Sequence, residues 1–232
     1  LVVAFHVAML PLAAELLGLG FSTGVLAGLF HIAAQVPTYP AWEASYVALL
    51  VMLLTVLVVR FVTRGYSTRS ALAIGLLWGI LILTSPTVTL LFLVWLVHQL
   101  LHIKREWHRL PRVALVLAWL PVFMALPWTI RNYVVLGSFV PLRDNLGLEL
   151  EVSNNPCSAF NIARNIETRC FHEHHPNFNR DETIRVRTLG EVAYNEEKLQ
   201  RAIDWIRSNP NRFIERTVQR FVHFWLPSDE TD

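Results

Sequence analysis

Residues 43–62 read EASYVALLVMLLTVLVVRFV, and this stretch decides the class of the fold. Its two charged side chains, Glu43 and Arg60, lie near its ends, and apolar residues dominate everything between them. A helix of about 20 such residues is long enough to cross the hydrocarbon core of a bilayer. The stretch therefore predicts a membrane-spanning helix.

Five more apolar stretches accompany it. They lie near residues 1–18, 21–36, 71–84, 87–102 and 113–129. The shorter ones still cross a bilayer when flanking side chains snorkel or the bilayer thins. The fourth and fifth spans of the chain meet at Ser85-Pro86, where proline removes a backbone donor and disfavours helix in the preceding residue. A tight turn at the membrane surface and one long kinked helix both fit this junction.

The apolar stretches stop near residue 135, and a polar segment follows. The chain is 53% hydrophobic and only 16% charged, which is far from the composition of a soluble enzyme. A formal net charge of +2, with basic residues clustered beside apolar stretches, argues against a nucleic-acid partner. We therefore predict an all-α polytopic membrane protein, with about six transmembrane helices in residues 1–135. A small, mainly helical extracytoplasmic domain is expected in residues 136–232, and membrane lipids are expected partners.

Two basic loops predict the orientation of the spans. One contains Arg60, Arg64 and Arg69, and the other contains Lys104, Arg105, Arg109 and Arg112. Because Lys and Arg near span ends are retained in the cytoplasm, both loops are expected inside. The stretch between them must then cross twice, which favours a turn at Ser85. The loop from Pro37 to Pro40 and everything after about Trp128 are expected outside.

The only two cysteines, Cys157 and Cys170, both lie in the predicted outside domain, 13 positions apart. A disulfide is the natural interpretation in an oxidising periplasm. The alternative is a metal site, because Cys170, His172, His174 and His175 lie within six residues. Adjacent histidines rarely converge on one ion and no CxxC or HxxxH spacing is present, so we predict the disulfide and no metal or other cofactor.

The second half of the outside domain has helical periodicity. Leu189, Val192, Ala193, Leu199, Ala202, Ile203 and Ile206 recur at three- and four-residue spacing, which predicts a long amphipathic helix ending at Ser208. Asn209 and Pro210 are typical of the start of another helix, whose apolar face runs from Phe213 to Trp225. That face either lies on the membrane surface or packs against the preceding helix.

Among intramembrane polar residues, Glu43 is the first functional candidate. It follows the turn that contains Tyr39, at the outer end of a span, where an ionisable group is a functional hypothesis by default. With Tyr39 it is assigned to substrate binding; the alternative is capping of the helix dipole. His6, Glu15 and His31 are isolated, and a hydrogen bond between helices is the preferred interpretation for them.

Arg131 is the second candidate, in the segment Trp128-Thr129-Ile130-Arg131-Asn132-Tyr133, where the last span emerges. A guanidinium donates two parallel hydrogen bonds to a phosphate, so Arg131 and its neighbour Asn132 are assigned to substrate binding. The alternative for Arg131 is snorkelling to lipid phosphates.

Several motifs together resemble one enzyme class. They are Leu83-Thr84-Ser85-Pro86-Thr87, Pro127-Trp128-Thr129-Ile130-Arg131-Asn132-Tyr133, Gly137-Ser138-Phe139-Val140-Pro141-Leu142, Ser153-Asn154-Asn155-Pro156, the segment from Ile206 to Phe213, and Phe224-Trp225. In this order they resemble the bacterial polytopic glycosyltransferases of the GT-C class. The likeness is greatest to family 39, whose members include protein O-mannosyltransferases and lipid A aminoarabinose transferases.

The resemblance implies inverting transfer of a sugar from a polyprenyl-phosphate donor to a lipid, glycan or protein acceptor, at the outer face of the bacterial inner membrane. The family's catalytic carboxylate lies in an outside loop after the first span, and Leu1 is expected to begin after that loop. We therefore leave the catalytic residue unassigned and expect this chain alone to transfer no sugar. Ser85 stands where relatives commonly carry Arg, and Glu43 matches a position that is often acidic.

A non-catalytic membrane protein that binds a lipid-linked sugar or a partner protein is the alternative function. A transporter is disfavoured, because no internal repeat is evident.

Overall fold

A computed structural model describes residues 2–34, 42–65, 67–103 and 111–226 of the chain. The described residues are mainly helical, and these four ranges contain no strand, which confirms the all-α class. The chain divides into two units, Leu1–Arg131 and Asn132–Asp232. Their assignment to a membrane body and an extracytoplasmic domain stays a prediction.

Helices follow one another through residue 136 at each of the six predicted apolar stretches. They are α1 Val2–Leu16, α2 Phe21–Ala34, α3 Trp42–Arg64, α4 Thr68–Thr84, α5 Val88–Ile103 and α6 Pro111–Leu136. Two segments, Ala44–Arg64 and Arg112–Leu136, are long and apolar enough to cross a membrane. The other four are shorter apolar helices. At about 1.5 Å per residue, the 15 residues of α1 rise only about 22 Å.

The junction at Ser85-Pro86 is a turn and not a kinked helix. Helix α4 ends at Thr84, and the backbone N–H of Ser85 donates to the Leu81 carbonyl at 2.8 Å. The next bond runs from the Val88 N–H to the Ser85 carbonyl at 3.1 Å, and it opens α5. The loss of the proline N–H is thus absorbed between two helices.

Glycines bring helices of the first unit close together. A Cβ on Gly24 of α2 would overlap Pro11 Cα of α1 and lie 2.5 Å from the Leu10 carbonyl oxygen. On α4, a Cβ at Gly75 would lie 3.1 Å from Leu120 Cδ2 of α6. Gly79, one turn further along α4, faces Met124 of α6 in the same way. Small residues at four-residue spacing are typical of helix contacts in membranes.

The second unit contains six helices in its described part, apart from the end of α6. They are α7 Leu146–Ser153, α8 Ile162–Glu167, α9 Cys170–His174, α10 Arg180–Leu189, α11 Glu191–Ser208 and α12 Pro210–Trp225. Helix α11 ends at Ser208 as predicted. Asn209 precedes α12 as predicted, but its side chain donates back to the Trp205 carbonyl at 3.0 Å and does not cap α12.

The predicted long amphipathic helix is interrupted and its buried face is rotated. Gly190, with φ of 82°, separates α10 from α11 because only glycine adopts this conformation readily. Leu189 and Ala193 of the predicted apolar stripe are exposed. Ala202 of the predicted stripe is buried, and the other buried residues of α11 are Tyr194, Asn195 and Lys198. Apolar periodicity alone therefore does not predict the buried face of α11, because this helix buries polar side chains.

Candidate functional site

The side chains of two of the four predicted substrate-binding residues lie outside the described part of the chain. Tyr39 lies outside the described residues. Glu43 is the second residue of α3, and its side chain lies outside the described part. Their roles stay predictions, as does the inside position of the loop that contains Lys104, Arg105 and Arg109.

Arg131 lies five residues before the end of α6 and is exposed. Its guanidinium carbon lies 5.2 Å from the ring centre of Trp128, which is one turn earlier on the same helix. A guanidinium over an indole face gains a cation–π attraction, and its planar group is held in a defined orientation. This geometry suits a group that must present a fork to an anion.

Asn132 is only 3% exposed, and its side chain is used within the protein. The amide nitrogen donates to the Val140 carbonyl at 3.0 Å and to the Leu142 carbonyl at 3.1 Å. A side-chain amide has two N–H donors, and both are engaged here. In this structure Asn132 fixes the segment that follows α6, so its assignment to substrate stays a prediction with a structural role beside it.

An apolar groove of about 580 Å³ runs between α4 and α6. Its lining residues are Leu72, Leu115, Val116, Trp119, Leu120 and Phe123. None of them carries a charge or a hydroxyl, so the groove matches a hydrocarbon chain and not a sugar. No sequence pattern indicated this groove, because it depends on how two helices pack.

The groove and Arg131 share one helix. Leu120, at one edge of the groove, is eleven residues or about three turns from Arg131 and lies on the same side of α6, whereas Phe123 and Trp119 lie about 80° and 120° round the helix from Arg131. From Phe123 at the groove to Arg131 the helix rises about 12 Å. Pro127 lies between them and removes one backbone donor from the helix. The helix thus carries an apolar groove and, about 12 Å further along its axis, a cation.

A buried ionic cluster in the second unit was also missed. Lys198 is 1% exposed, and its Nζ lies 2.8 Å from Glu182 Oε2 and 3.3 Å from Glu151 Oε2. The same ammonium donates to the His174 carbonyl at 3.2 Å. Tyr194 donates its hydroxyl to Glu182 at 2.6 Å. Four helices, α7, α9, α10 and α11, therefore meet at one charge.

The contacts within the cluster shift the pKa values of Glu182 and Tyr194. Burial alone raises the pKa of Glu182, but hydrogen bonds from Lys198 and Tyr194 outweigh it and lower that pKa below its ordinary value. Burial and the Glu182 carboxylate raise the pKa of Tyr194. The one sequence signal was that Lys198 lies one turn from both Tyr194 and Ala202, on a single helix face. We assign the cluster a structural role, because it is closed to solvent.

The predicted disulfide is confirmed as a pair at bonding distance: the Sγ atoms of Cys157 and Cys170 lie 1.97 Å apart. The histidines of the alternative metal site fall into two groups. His174 lies within 4.8 Å of both sulfurs, but its Nδ1 is 2.6 Å from Glu151 Oε1. His172 and His175 are not part of that group; they contact the rings of Phe178 and Phe171, respectively. The cysteines are bonded to each other, so they present no thiolate to an ion.

The chain matches no protein-family model, no curated protein and no solved structure. The resemblance to the GT-C class therefore rests on the sequence motifs. The geometry that bears on function is the apolar groove and the cation on helix α6.

Proposed function

We propose that this chain contributes the later spans and the extracytoplasmic domain of an inverting membrane glycosyltransferase of the GT-C type. The donor is a polyprenyl-phosphate-linked sugar, and the acceptor is a lipid, a glycan or a protein. The enzyme acts at the outer face of the bacterial inner membrane. Within this chain, Arg131 binds the donor phosphate and the groove between α4 and α6 receives part of its isoprenoid chain.

In this proposal all six helices up to Leu136 cross the bilayer. Two are long enough without further help, and the other four are apolar along most of their length. Short apolar helices are accommodated by local thinning of the bilayer at a modest energetic cost. The second unit, which follows α6, is then periplasmic, where a disulfide persists.

One observation carries the proposal: an apolar groove and an indole-stacked guanidinium lie on the same helix, α6, with Arg131 about 12 Å further along its axis than Phe123. A polyprenyl phosphate has the same two parts, a long hydrocarbon chain and a terminal anion. A guanidinium binds a phosphate through two parallel hydrogen bonds, whereas an ammonium acts as a point charge. The motif that contains Arg131 is also part of the family resemblance.

The chemistry gives Arg131 a defined task. The acceptor oxygen forms a bond to the anomeric carbon while the bond from that carbon to the phosphate oxygen breaks on the opposite face. The acceptor proton passes to a general base, which we leave unassigned. The phosphate changes from a singly charged diester to a monoester of greater negative charge. A cation fixed beside the leaving oxygen stabilises that developing charge.

Binding of radiolabelled polyprenyl phosphate to the purified chain in phospholipid nanodiscs tests the proposal. We expect Arg131→Gln to weaken binding about 10- to 100-fold, since a hydrogen bond to a charged group contributes about 1.5–3 kcal/mol. Arg112→Gln, at the other end of the same helix, is the matched control and should leave binding unchanged. Because the nanodisc lipids are in large excess, mere snorkelling to lipid phosphates gives no such difference.

A second comparison separates the groove from the cation. Leu115→Trp fills the groove and should weaken binding of polyprenyl phosphate and of the uncharged polyprenol alike. Arg131→Gln should affect only the phosphate. Equal affinity of the parent, Arg131→Gln and Leu115→Trp proteins for polyprenyl phosphate would refute the proposed site.

A further inference from the structure

Helix α12 exposes the face that its sequence marks as apolar. Five side chains form a stripe about 100° wide along one side of the helix: Ile214, Val218, Phe221, Val222 and Trp225. Each is between 48% and 67% exposed. The alternative in which this face packs against the preceding helix is therefore wrong.

The opposite face is held inward by arginines. Arg216 is 5% exposed and donates to the Asn155 carbonyl at 2.9 Å and to Ser158 Oγ at 2.5 Å. Its guanidinium also lies 4.9 Å from the ring centre of Trp205. Burial lowers the pKa of Arg216 to about 10, so this side chain remains charged at neutral pH.

Arg220, one turn later, donates to the carbonyls of Ser153 and Ala159. Rotating α12 to bury its apolar stripe would withdraw both arginines from these acceptors. Buried polar groups that lose their partners destabilise the fold, and the cost is greater when the group is charged. The outward direction of the stripe is thus fixed by specific contacts.

The second unit also contains the end of a helix that is long enough to cross a membrane. The unit begins at Asn132, within α6, and Val134 and Val135 on that last turn are 75% and 61% exposed. The second unit is therefore joined directly to a helix that we propose to cross the bilayer. An exposed stripe of aliphatic residues that ends in phenylalanine and tryptophan is typical of helices that lie in the membrane interface.

We propose that α12 is a lipid-docking surface. Its stripe, Ile214, Val218, Phe221, Val222 and Trp225, lies in the boundary between headgroups and acyl chains of the bilayer that α6 crosses. The second unit is thereby held against the membrane by α12 as well as by α6. The proposal goes beyond sugar transfer and does not depend on it.

Spin labels on two adjacent residues test this proposal in the full chain, reconstituted into phospholipid vesicles. Val218→Cys places a label on the stripe, and Gln219→Cys places one about 100° further round the helix, as the matched control. The native cysteines are bonded to each other and do not react. We expect the label at 218 to collide several-fold more with oxygen than with a water-soluble nickel complex, and the label at 219 to show the reverse preference.

Ile214→Cys and Arg212→Cys form a second pair, for use if a label at 218 disturbs folding; an intact disulfide and an unchanged circular dichroism spectrum show that folding is retained. Preferential collision of the stripe labels with the nickel complex would place them in water and overturn the proposal. Exclusion of both reagents would also overturn it, because protein would then cover the stripe. In that case, dipolar broadening between labels identifies a second copy as the cover.

Discussion

The two units of this protein hold their helices together by opposite means. Ten of the twelve buried polar or charged side chains in the described ranges belong to the second unit. The first unit relies instead on close glycine contacts and on packed rings such as Trp78, Phe92 and Trp95. The apolar contacts of the first unit suit a lipid surrounding, and the buried polar contacts of the second unit suit water.

The exposed apolar side chains show the same contrast between the two units. In the first unit, residues as apolar as Phe30 and Leu90 are 75% and 72% exposed. Large apolar patches are a liability in water and carry no such cost in lipid. In the second unit, the buried Glu151, Glu182 and Lys198 are ion-paired, and the buried Arg216 and the buried amides are hydrogen-bonded, as an aqueous domain requires. Helix α12 is an exception in the second unit, because its apolar stripe is exposed, and it is the part that we propose to contact lipid.

The largest effect should come from breaking the ionic cluster. Lys198→Met removes the buried cation that Glu151 and Glu182 share, and removal of one partner from a buried pair costs about 3–5 kcal/mol. We expect the free energy of unfolding of the second unit to fall by that amount. Urea titration with pulse proteolysis in detergent micelles measures it.

The matched control adds Glu151→Gln and Glu182→Gln to Lys198→Met, which removes the stranded charges. Part of the lost stability should return. If Lys198→Met alone costs less than about 1 kcal/mol, a value typical of an exposed pair, the cluster does not hold the second unit together.

Reduction of the disulfide should have the next largest effect. The bond between Cys157 and Cys170 closes a loop of 13 positions, and a loop of this size is worth about 3 kcal/mol in the chain-entropy model. A reductant, or the double change Cys157→Ser and Cys170→Ser, should destabilise the second unit by about this amount. Helix packing in the first unit should be unaffected, and a loss of stability in both units would show that they do not fold separately.

In the first unit, the glycine contact between α1 and α2 should be sensitive to one methyl group. Gly24→Ala forces a Cβ against the backbone of Leu10 and Pro11, and overpacking of this kind costs about 1–3 kcal/mol. Gly28→Ala, one turn along the same helix, is the control, because its Cβ would lie 3.4 Å from Val7 Cγ1. Thermal unfolding in detergent compares them, and equal midpoints would mean that the close approach of α1 and α2 is not required.

A smaller effect is expected from acid. Burial opposes ionisation of Glu182, but the hydrogen bonds from Lys198 and Tyr194 prevail and lower its pKa below the ordinary 4.5. Its contribution to stability is therefore present above about pH 4.5 and is lost as the pH falls through the lowered pKa. Burial raises the pKa of Asp144, which works in the opposite direction over the same range. Urea titrations from pH 6 to pH 3 should show a decline that Glu182→Gln flattens; an equally steep decline in the variant would remove Glu182 as its cause.

Much of the fold followed from the sequence, because apolar stretches of this length form helices whatever they contact. The turn at Ser85-Pro86 was predictable from the missing proline donor. The pairing of Cys157 with Cys170 followed because the chain has no other cysteine. The pattern also located the ends of α4 and α11, at Thr84 and Ser208, where local signals were strong.

The rest depended on contacts between distant parts of the chain. Lys198 meets Glu151 across 47 positions, and no local pattern indicates which charges will be buried together. Arg216 bonds to the loop at Asn155, 61 positions away, and this contact turned the apolar face of α12 outward. The apolar groove arises from the packing of α4 on α6. Tertiary pairing of this kind overrides amphipathic periodicity.

We propose that the first unit spans the membrane and that the second lies outside the cytoplasm. Fusion of alkaline phosphatase or green fluorescent protein at two positions, after Arg64 and after Asp232, tests it most directly. We expect an active phosphatase and no fluorescence at Asp232, and the reverse at Arg64. A fluorescent fusion at Asp232 with inactive phosphatase would place the second unit in the cytoplasm and overturn the proposed topology.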